Sequence, residues 1–369
     1  MGYNGEKASL NQYTSLYNYC KDRVFSDLKS IFIEDEMEQN KLKISDIPYC
    51  HQPKQIKNTV PLVSFDGGLA NLFSGSQLEV SLIKVAGACP PEFEKIIDNK
   101  LLKEIIFHVF TGRLSHSSNN NKLIEKEIFR LGSLDEFISF LAFSEIDFNE
   151  FYLEFKRLID KWKDKTALKD SVRELLEWSL IFDFVQKMKE LNNSNYLIIK
   201  DGSLSVNSKA LTGLVSNKIK NSLMESGDRL IPIIGVVKKS RFVGETPIGR
   251  IISFYSARLP SHTFFKIPAK YESVMDKDLS SNAFSRYFLS LFGGSSIFEI
   301  QIPKPIDQSI ELREKIFNIL AENTTFSYGG SVSINSFAHI KASLSESDGL
   351  LLEKNLYREL KKDNPGDEK

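Results

Sequence analysis

The chain has 369 residues, 41% hydrophobic and 26% charged, which allows two domains or one large domain with an insertion and excludes a disordered, collagenous or disulfide-scaffold protein. Its 48 basic and 48 acidic residues cancel, so the total charge carries no sign of a nucleic-acid partner. Cys20, Cys50 and Cys89 show no CxxC spacing, no run reaches the roughly 18 apolar residues of a membrane span, and the start MGYNGEKASL lacks the layout of a signal peptide. A cytoplasmic protein with no membrane contact and no cysteine zinc site is expected.

The neutrality hides an asymmetry. Residues 205–270 hold eleven Lys or Arg against three acids, a net of +8, whereas 92–190 hold 19 acids and 16 bases, a net of −3. Phosphate attraction follows the local field more than the total, so a polyanion would sense the first stretch. A solvated strand-rich surface would show the same excess.

In chain order, Leu10, Tyr13, Leu16, Tyr17, Cys20, Val24, Leu28, Ile31 and Phe32 recur at spacings of three and four, the stripe of an amphipathic helix over 8–33. That stripe fits a partner face or packing onto the chain's own sheet. The acidic run EDEMEQNK follows, then an extended connector with Pro48, Pro53 and Pro61. Strands are predicted at VPLVSF, ending on Asp66-Gly67-Gly68, and at Gln77–Ala88. Residues 92–191 read mainly as helix, through EFEKIIDNKLLKEIIFHVF, EKEIFRL, DEFISFLAF and a long run from Lys169 to Leu191. A strand returns at 196–200 and ends on Asp201-Gly202-Ser203-Leu204. Further strands are expected at Ile231–Val237, Ile251–Phe254, Phe264–Ile267 and Phe298–Ile302, with helices at 310–322 and 335–360. This order favours an α/β fold, a mixed sheet with helices packed on it.

Two β-branched strands that each end in Asp-Gly are the most informative feature. An Asp at the carboxyl end of a buried strand sits where the sheet opens, and a following Gly lets backbone approach a ligand. If the strands are parallel neighbours, Asp66 and Asp201 project from one edge and can share Mg²⁺ or Mn²⁺, cations that favour oxygen ligands. Taken singly, each Asp-Gly also fits a tight turn. Glu174 and Glu177, three apart in RELLEWSLIFDF, can supply a third carboxylate, completing the cluster that two-metal phosphodiester cleavage requires. His339 in FAHIKASL and Tyr328 in TTFSYGGS can donate a hydrogen bond or move a proton near a phosphate. Lys238 ends the apolar strand IIGVVK and is placed to meet a phosphate, with Lys239 on the opposite face. No GxxxxGK[ST] phosphate loop occurs, which disfavours a nucleotide-binding reading.

VPLVSFDGGL, LEVSLIKVAG, RELLEW, YLIIKDGSL, IIGVVKKS, FEIQIPKP and FAHIKASLSESD, in this order over about 60–350, resemble the recurrent segments of NurA-domain nucleases. The resemblance implies a ribonuclease-H-like mixed sheet flanked by helices, with a helical insertion at about 92–165. It implies a Mn²⁺-dependent homodimer that hydrolyses DNA from its ends with a HerA-type hexameric ATPase, in DNA repair or antiviral defence. Asp66 and Asp201 resemble the strand-borne metal ligands, Glu177 the helical carboxylate (Glu174 as its alternative), and His339 the late histidine. Tyr328 departs from the pattern, being followed by Gly329 and Gly330 and eleven residues before His339. Asp-Gly-Gly likewise stands where Asp-Gly-Ser is usual. The expected domains are an N-terminal helix and connector at 1–59, the nuclease domain at 60–350 and a polar C-terminal end at 351–369. The alternative is a ribonuclease-H-like module without catalysis, retained as a DNA-binding or assembly subunit.

Overall fold

The computed structural model describes residues 43–363 apart from 55–59, 74–77, 96, 98, 118–122, 142–146, 162–166, 193–194, 205–212, 230–231, 239, 241–242, 244–246, 269–270, 272–282, 292–295, 325–332 and 345. The expected helix over 8–33, Lys239, Arg241 and Tyr328 lie outside the described residues.

The described strands are β1 (Cys50–His51), β2 (Leu62–Leu72), β3 (Leu78–Ala88), β4 (Glu104–Ser117), β5 (Leu123–Leu131), β6 (Leu197–Asp201), β7 (Ile233–Val237), β8 (Thr263–Phe265), β9 (Phe284–Leu291) and β10 (Ser296–Pro303). The helices are α1 (Leu134–Phe140), α2 (Phe148–Lys161), α3 (Ala167–Glu190), α4 (Gly213–Arg229), α5 (Pro247–Arg258), α6 (Lys304–Gln308), α7 (Ile310–Glu322), α8 (Ser333–Ala342) and α9 (Glu346–Asp363).

All ten strands join one mixed sheet in the order β1-β8-β9-β10-β7-β6-β2-β3-β4-β5. Strands β2, β3 and β4 form an antiparallel meander, while β6 lies parallel to β2 and β7 parallel to β6. Three antiparallel strands followed by two parallel ones make the ribonuclease-H-like core. Strand β10 extends it antiparallel to β7, and β9, β8 and β1 continue outward.

The 24-residue α3 supplies the link back to the parallel strand β6, and it is buried on more than one side. Val172, Leu175, Leu176, Ile181 and Phe184 join the main core with Leu62, Val63 and Phe65 of β2 and Leu197 to Ile199 of β6. Its Ser179 hydroxyl donates to the Phe140 carbonyl of α1, so a second helical layer covers it. A smaller core, with Ile248, Ile252, Tyr255, Phe265 and Phe288, lies under the β8–β9 extension.

The structure corrects several sequence expectations. The block at 92–191 is not all helical, because its first part supplies β4 and β5 of the sheet. Along Glu104–Thr111 burial alternates, with Ile105, Phe107, Val109 and Thr111 inside and Ile106, His108 and Phe110 less covered. Because the outer face also carries Ile and Phe, the period of two is invisible in apolarity; the β-branched and aromatic content was the usable signal. Ile251–Phe254 is helical, within α5, where Pro247 begins the helix and Ile248, Ile252, Tyr255 and Leu259 recur at helical spacing. Helix α4 and strand β9 went unpredicted, and the expected helix at 335–360 divides into α8 and α9. The connector after residue 42 includes a 3₁₀ turn at Ile44–Asp46, and its Cys50–His51 form the sheet's outer strand.

Candidate metal centre

Parallel pairing of Phe65 with Lys200 puts the next residues, Asp66 and Asp201, level on neighbouring strands. Side chains alternate along a strand, so consecutive residues face opposite sides. Phe65 meets Phe184 of α3 and Lys200 pairs with Glu177 of α3, whereas Asp66 meets His339 of α8. Asp66 and Asp201 therefore share the α8 face. Strand β6 ends at Asp201 as expected, and Gly202 turns the chain with φ at 108°, a conformation that favours glycine. Strand β2 does not end at Asp66 but runs on to Leu72, still paired with β3; only its parallel neighbour stops. The opening beside Asp66 comes from β6.

The two glycines after Asp66 are sites of close approach rather than a turn. A Cβ on Gly68 would lie 2.1 Å from the Ala342 carbonyl oxygen, so α8 lies directly on the strand. Lys341 donates to the Gly87 carbonyl at 2.9 Å and holds the same helix to β3. His339, one turn before Ala342, then reaches Asp66, with Nδ1 2.8 Å from Oδ2. Lys238, just past β7, places Nζ 2.6 Å from Asp201 Oδ2.

Asp66 is buried, and its Oδ1 accepts from the Gly67 N–H at 2.7 Å. Burial raises its carboxyl above the ordinary range, the charges of Asp201 and Glu177 raise it further, and hydrogen bonds from His339 and Gly67 oppose them. The protein thus concentrates negative charge where it costs most. Asp66, Asp201 and His339 each offer a ligand atom, all within 4.8 Å of one another, and two carboxylates with an imidazole suit Mn²⁺ or Mg²⁺.

Glu177 is placed differently. A Cβ on Gly67 would lie 2.6 Å from Glu177 Oε1, on the pleat opposite to Asp66 and Gly68. There Glu177 is 3.2 Å from the enclosed Lys200 Nζ and 3.5 Å from the half-buried Arg173. Burial pulls the Lys200 ammonium down, but Glu177 and Glu174 more than offset it and keep it charged. Burial pushes Glu174 up to about 7, helped by Glu177 and opposed by Lys200. The structure brings together Asp66, Asp201, His339 and Lys238 and sets Glu177 between Lys200 and Arg173 on the opposite pleat, with Glu174 on the same helix.

Sequence reasoning missed these cations and the brace under the site. Gln301 Oε1 accepts from the Leu204 N–H at 2.6 Å and the Ser203 hydroxyl at 2.9 Å. Its amide donates to Glu299 at 2.6 Å, and Glu299 also accepts from Arg286 and from the Ser240 hydroxyl. Strand β10 thereby fixes the turn after Asp201 and ties down Ser240, two residues past Lys238. The signal was available: Lys200 ends an apolar strand, and Glu299 and Gln301 alternate with Phe298, Ile300 and Ile302, so each needed a buried partner. Three of the described basic residues of the +8 stretch have different partners. Lys238 is at the site, Lys266 pairs with Asp307, and Arg258 lies over the Phe254 ring.

No protein-family model matches the chain, and no curated protein does. Among solved structures, the chain is similar to the NurA nuclease from Sulfolobus solfataricus, with 14% identity, a TM-score of 0.47, and coverage of 93% of this chain and 98% of that one. A structure of NurA with manganese matches with 10% identity and a TM-score of 0.37, covering 91% and 97%. The catalytic domain of human endonuclease V matches with 10% identity and a TM-score of 0.30, covering 90% and 98%.

Proposed function

We propose that the protein is a divalent-metal-dependent DNA nuclease, with Asp66, Asp201 and His339 holding the cation. The observation that carries this is the level pair of like-charged aspartates on adjacent parallel strands, closed by an imidazole within 4.8 Å. Two carboxylates meeting where β6 ends in the middle of the sheet repel one another; a cation between them would account for the pair. Such an ion would polarise a phosphodiester and activate water for in-line displacement. Lys238, partly exposed beside Asp201, neutralises charge on an incoming phosphate oxygen. His339 is largely exposed while Nδ1 faces Asp66, so the ring stands where it can join the two carboxylates on the cation.

The ordered NurA-like segments support DNA ends as the substrate, a homodimer, and a HerA-type ring ATPase as the partner that delivers DNA. Zero net charge agrees with delivery, since only local fields attract the duplex. Among the described residues no helix is long and apolar enough to cross a membrane. The test is degradation of linear DNA in Mn²⁺, with and without chelator, by the unaltered protein and by Asp66→Asn and Asp201→Asn. Metal-dependent cleavage lost in both variants supports the reading; cleavage by the double variant overturns it. Light scattering and pull-down with the ATPase test the dimer and the partner.

One observation favours the second reading, a non-catalytic DNA-binding subunit. Lys200 and Arg173 engage Glu177, and Lys238 engages Asp201, which leaves fewer free carboxylates than a two-ion centre uses. DNA binding without cleavage at any Mn²⁺ concentration would select it.

A further inference from the structure

The lysine at the metal centre bears on how many ions the centre holds, an inference that rests on the metal-site reading above. Two ions about 3.5–4 Å apart need more ligands than the set that holds one. Here Asp66 Oδ2 and His339 are the groups that serve the first ion, and Asp66 Oδ1 accepts from the Gly67 N–H. Asp201 Oδ2 is taken by Lys238 Nζ at 2.6 Å. Glu177, the carboxylate that would serve a second ion, lies against Gly67 on the other pleat, bound to Lys200 and Arg173.

Charge leads to the same answer. The two aspartates offer two negative charges, which one divalent ion balances; Lys238 already adds one positive charge. A second ion would set roughly five positive charges against two in a partly buried place, where uncompensated charge is expensive. We propose that the centre holds a single divalent ion and that the Lys238 ammonium occupies the position of a second. Lys238 follows β7 directly and is held by Asp201 at 2.6 Å, while Ser240, two residues on, is tied to Glu299 of β10, so its charge is part of the built site.

The test is Mn²⁺ stoichiometry of the full chain, from the free-ion signal in electron paramagnetic resonance, for the unaltered protein and Lys238→Glu. One ion per chain is expected in the unaltered protein, and two in Lys238→Glu, where a carboxylate replaces the ammonium. Adding a short phosphorothioate duplex, with its own Mn²⁺ uptake subtracted, leaves the unaltered count at one. Two ions in the unaltered protein, with or without duplex, or one ion in a folded Lys238→Glu, overturn the inference while leaving the metal site standing. No bound ion at all removes the site and the inference together. The unaltered count needs no variant, so a misfolded substitution leaves the test decisive.

Discussion

The two faces of the sheet at Asp66 and Asp201 are built from neighbouring residues and treat charge in opposite ways. On the α3 face, buried Glu177 is met by Lys200 and Arg173, and Glu174 lies within the influence of the same lysine. On the α8 face, Asp66 and Asp201 are met by one lysine and an exposed histidine, and negative charge is left over. The backbone between them is the same, since Lys200 precedes Asp201 and Gly67 follows Asp66. The difference teaches that a carboxylate's role depends on which pleat it faces and what compensates it. A balanced cluster supports the fold, and an unbalanced one is suited to take up a cation.

The comparison breaks first, and most, at the aspartates. Asp66→Asn or Asp201→Asn should lower cleavage by roughly 10³-fold or more, the loss of several kcal/mol of transition-state stabilisation. The melting temperature should hold or rise, because a like charge leaves a crowded buried pair. Cleavage rates and calorimetry on the same preparations check both halves.

Behind the site the expectation inverts. Lys200→Met leaves Glu177 buried with Arg173 as its remaining partner and should cost about 3–5 kcal/mol in denaturant unfolding. A loss below about 1 kcal/mol would show that the α3 cluster is not a closed ionic unit.

Gly68→Ala sharpens the contact between the faces and α8. Its Cβ meets a backbone oxygen that cannot rotate away, so the helix must shift. Unfolding should cost about 1–3 kcal/mol, and Mn²⁺ affinity should fall with it because His339 moves. His339→Ala separates the two effects. The ring is mostly exposed, so stability should stay within about 0.5 kcal/mol, while Mn²⁺ affinity drops about 10–100-fold by titration.

The smallest effect is the pH dependence of Glu174. Its folded value of about 7 exceeds the ordinary 4.5, so the folded state holds the proton more tightly. Stability from this group is full below the unfolded value and is lost as pH rises through the folded one. Glu174→Gln should therefore be neutral at pH 4 and stabilising at pH 8, by about 1 kcal/mol after discounting for partial exposure. Melting curves at the two pH values decide it.

Several features were legible in the residues. The strand carrying Asp66, the strand ending on Asp201, the long helix before it and the strand leading to Lys238 follow from apolar runs and Asp-Gly punctuation, which are local properties. Strands β4 and β5 were not legible as strands, since apolar residues on both faces erase the period of two. Helix α5 was misread for a related reason, because a short β-branched run says little unless its neighbours' spacing is counted.

The amino-acid sequence by itself determined which groups are available: two strand-borne aspartates, a helix with two glutamates, a late histidine and a lysine at a strand end. Only the tertiary structure decided that Asp66 and Asp201 are level, that His339 and Lys238 join them, and that Glu177 turns to Lys200 and Arg173. The physical reason is that strand register and pleat are settled by pairing between segments far apart in the chain. Asp66 and Asp201 face the same way because Phe65 pairs with Lys200, a relation no local pattern contains.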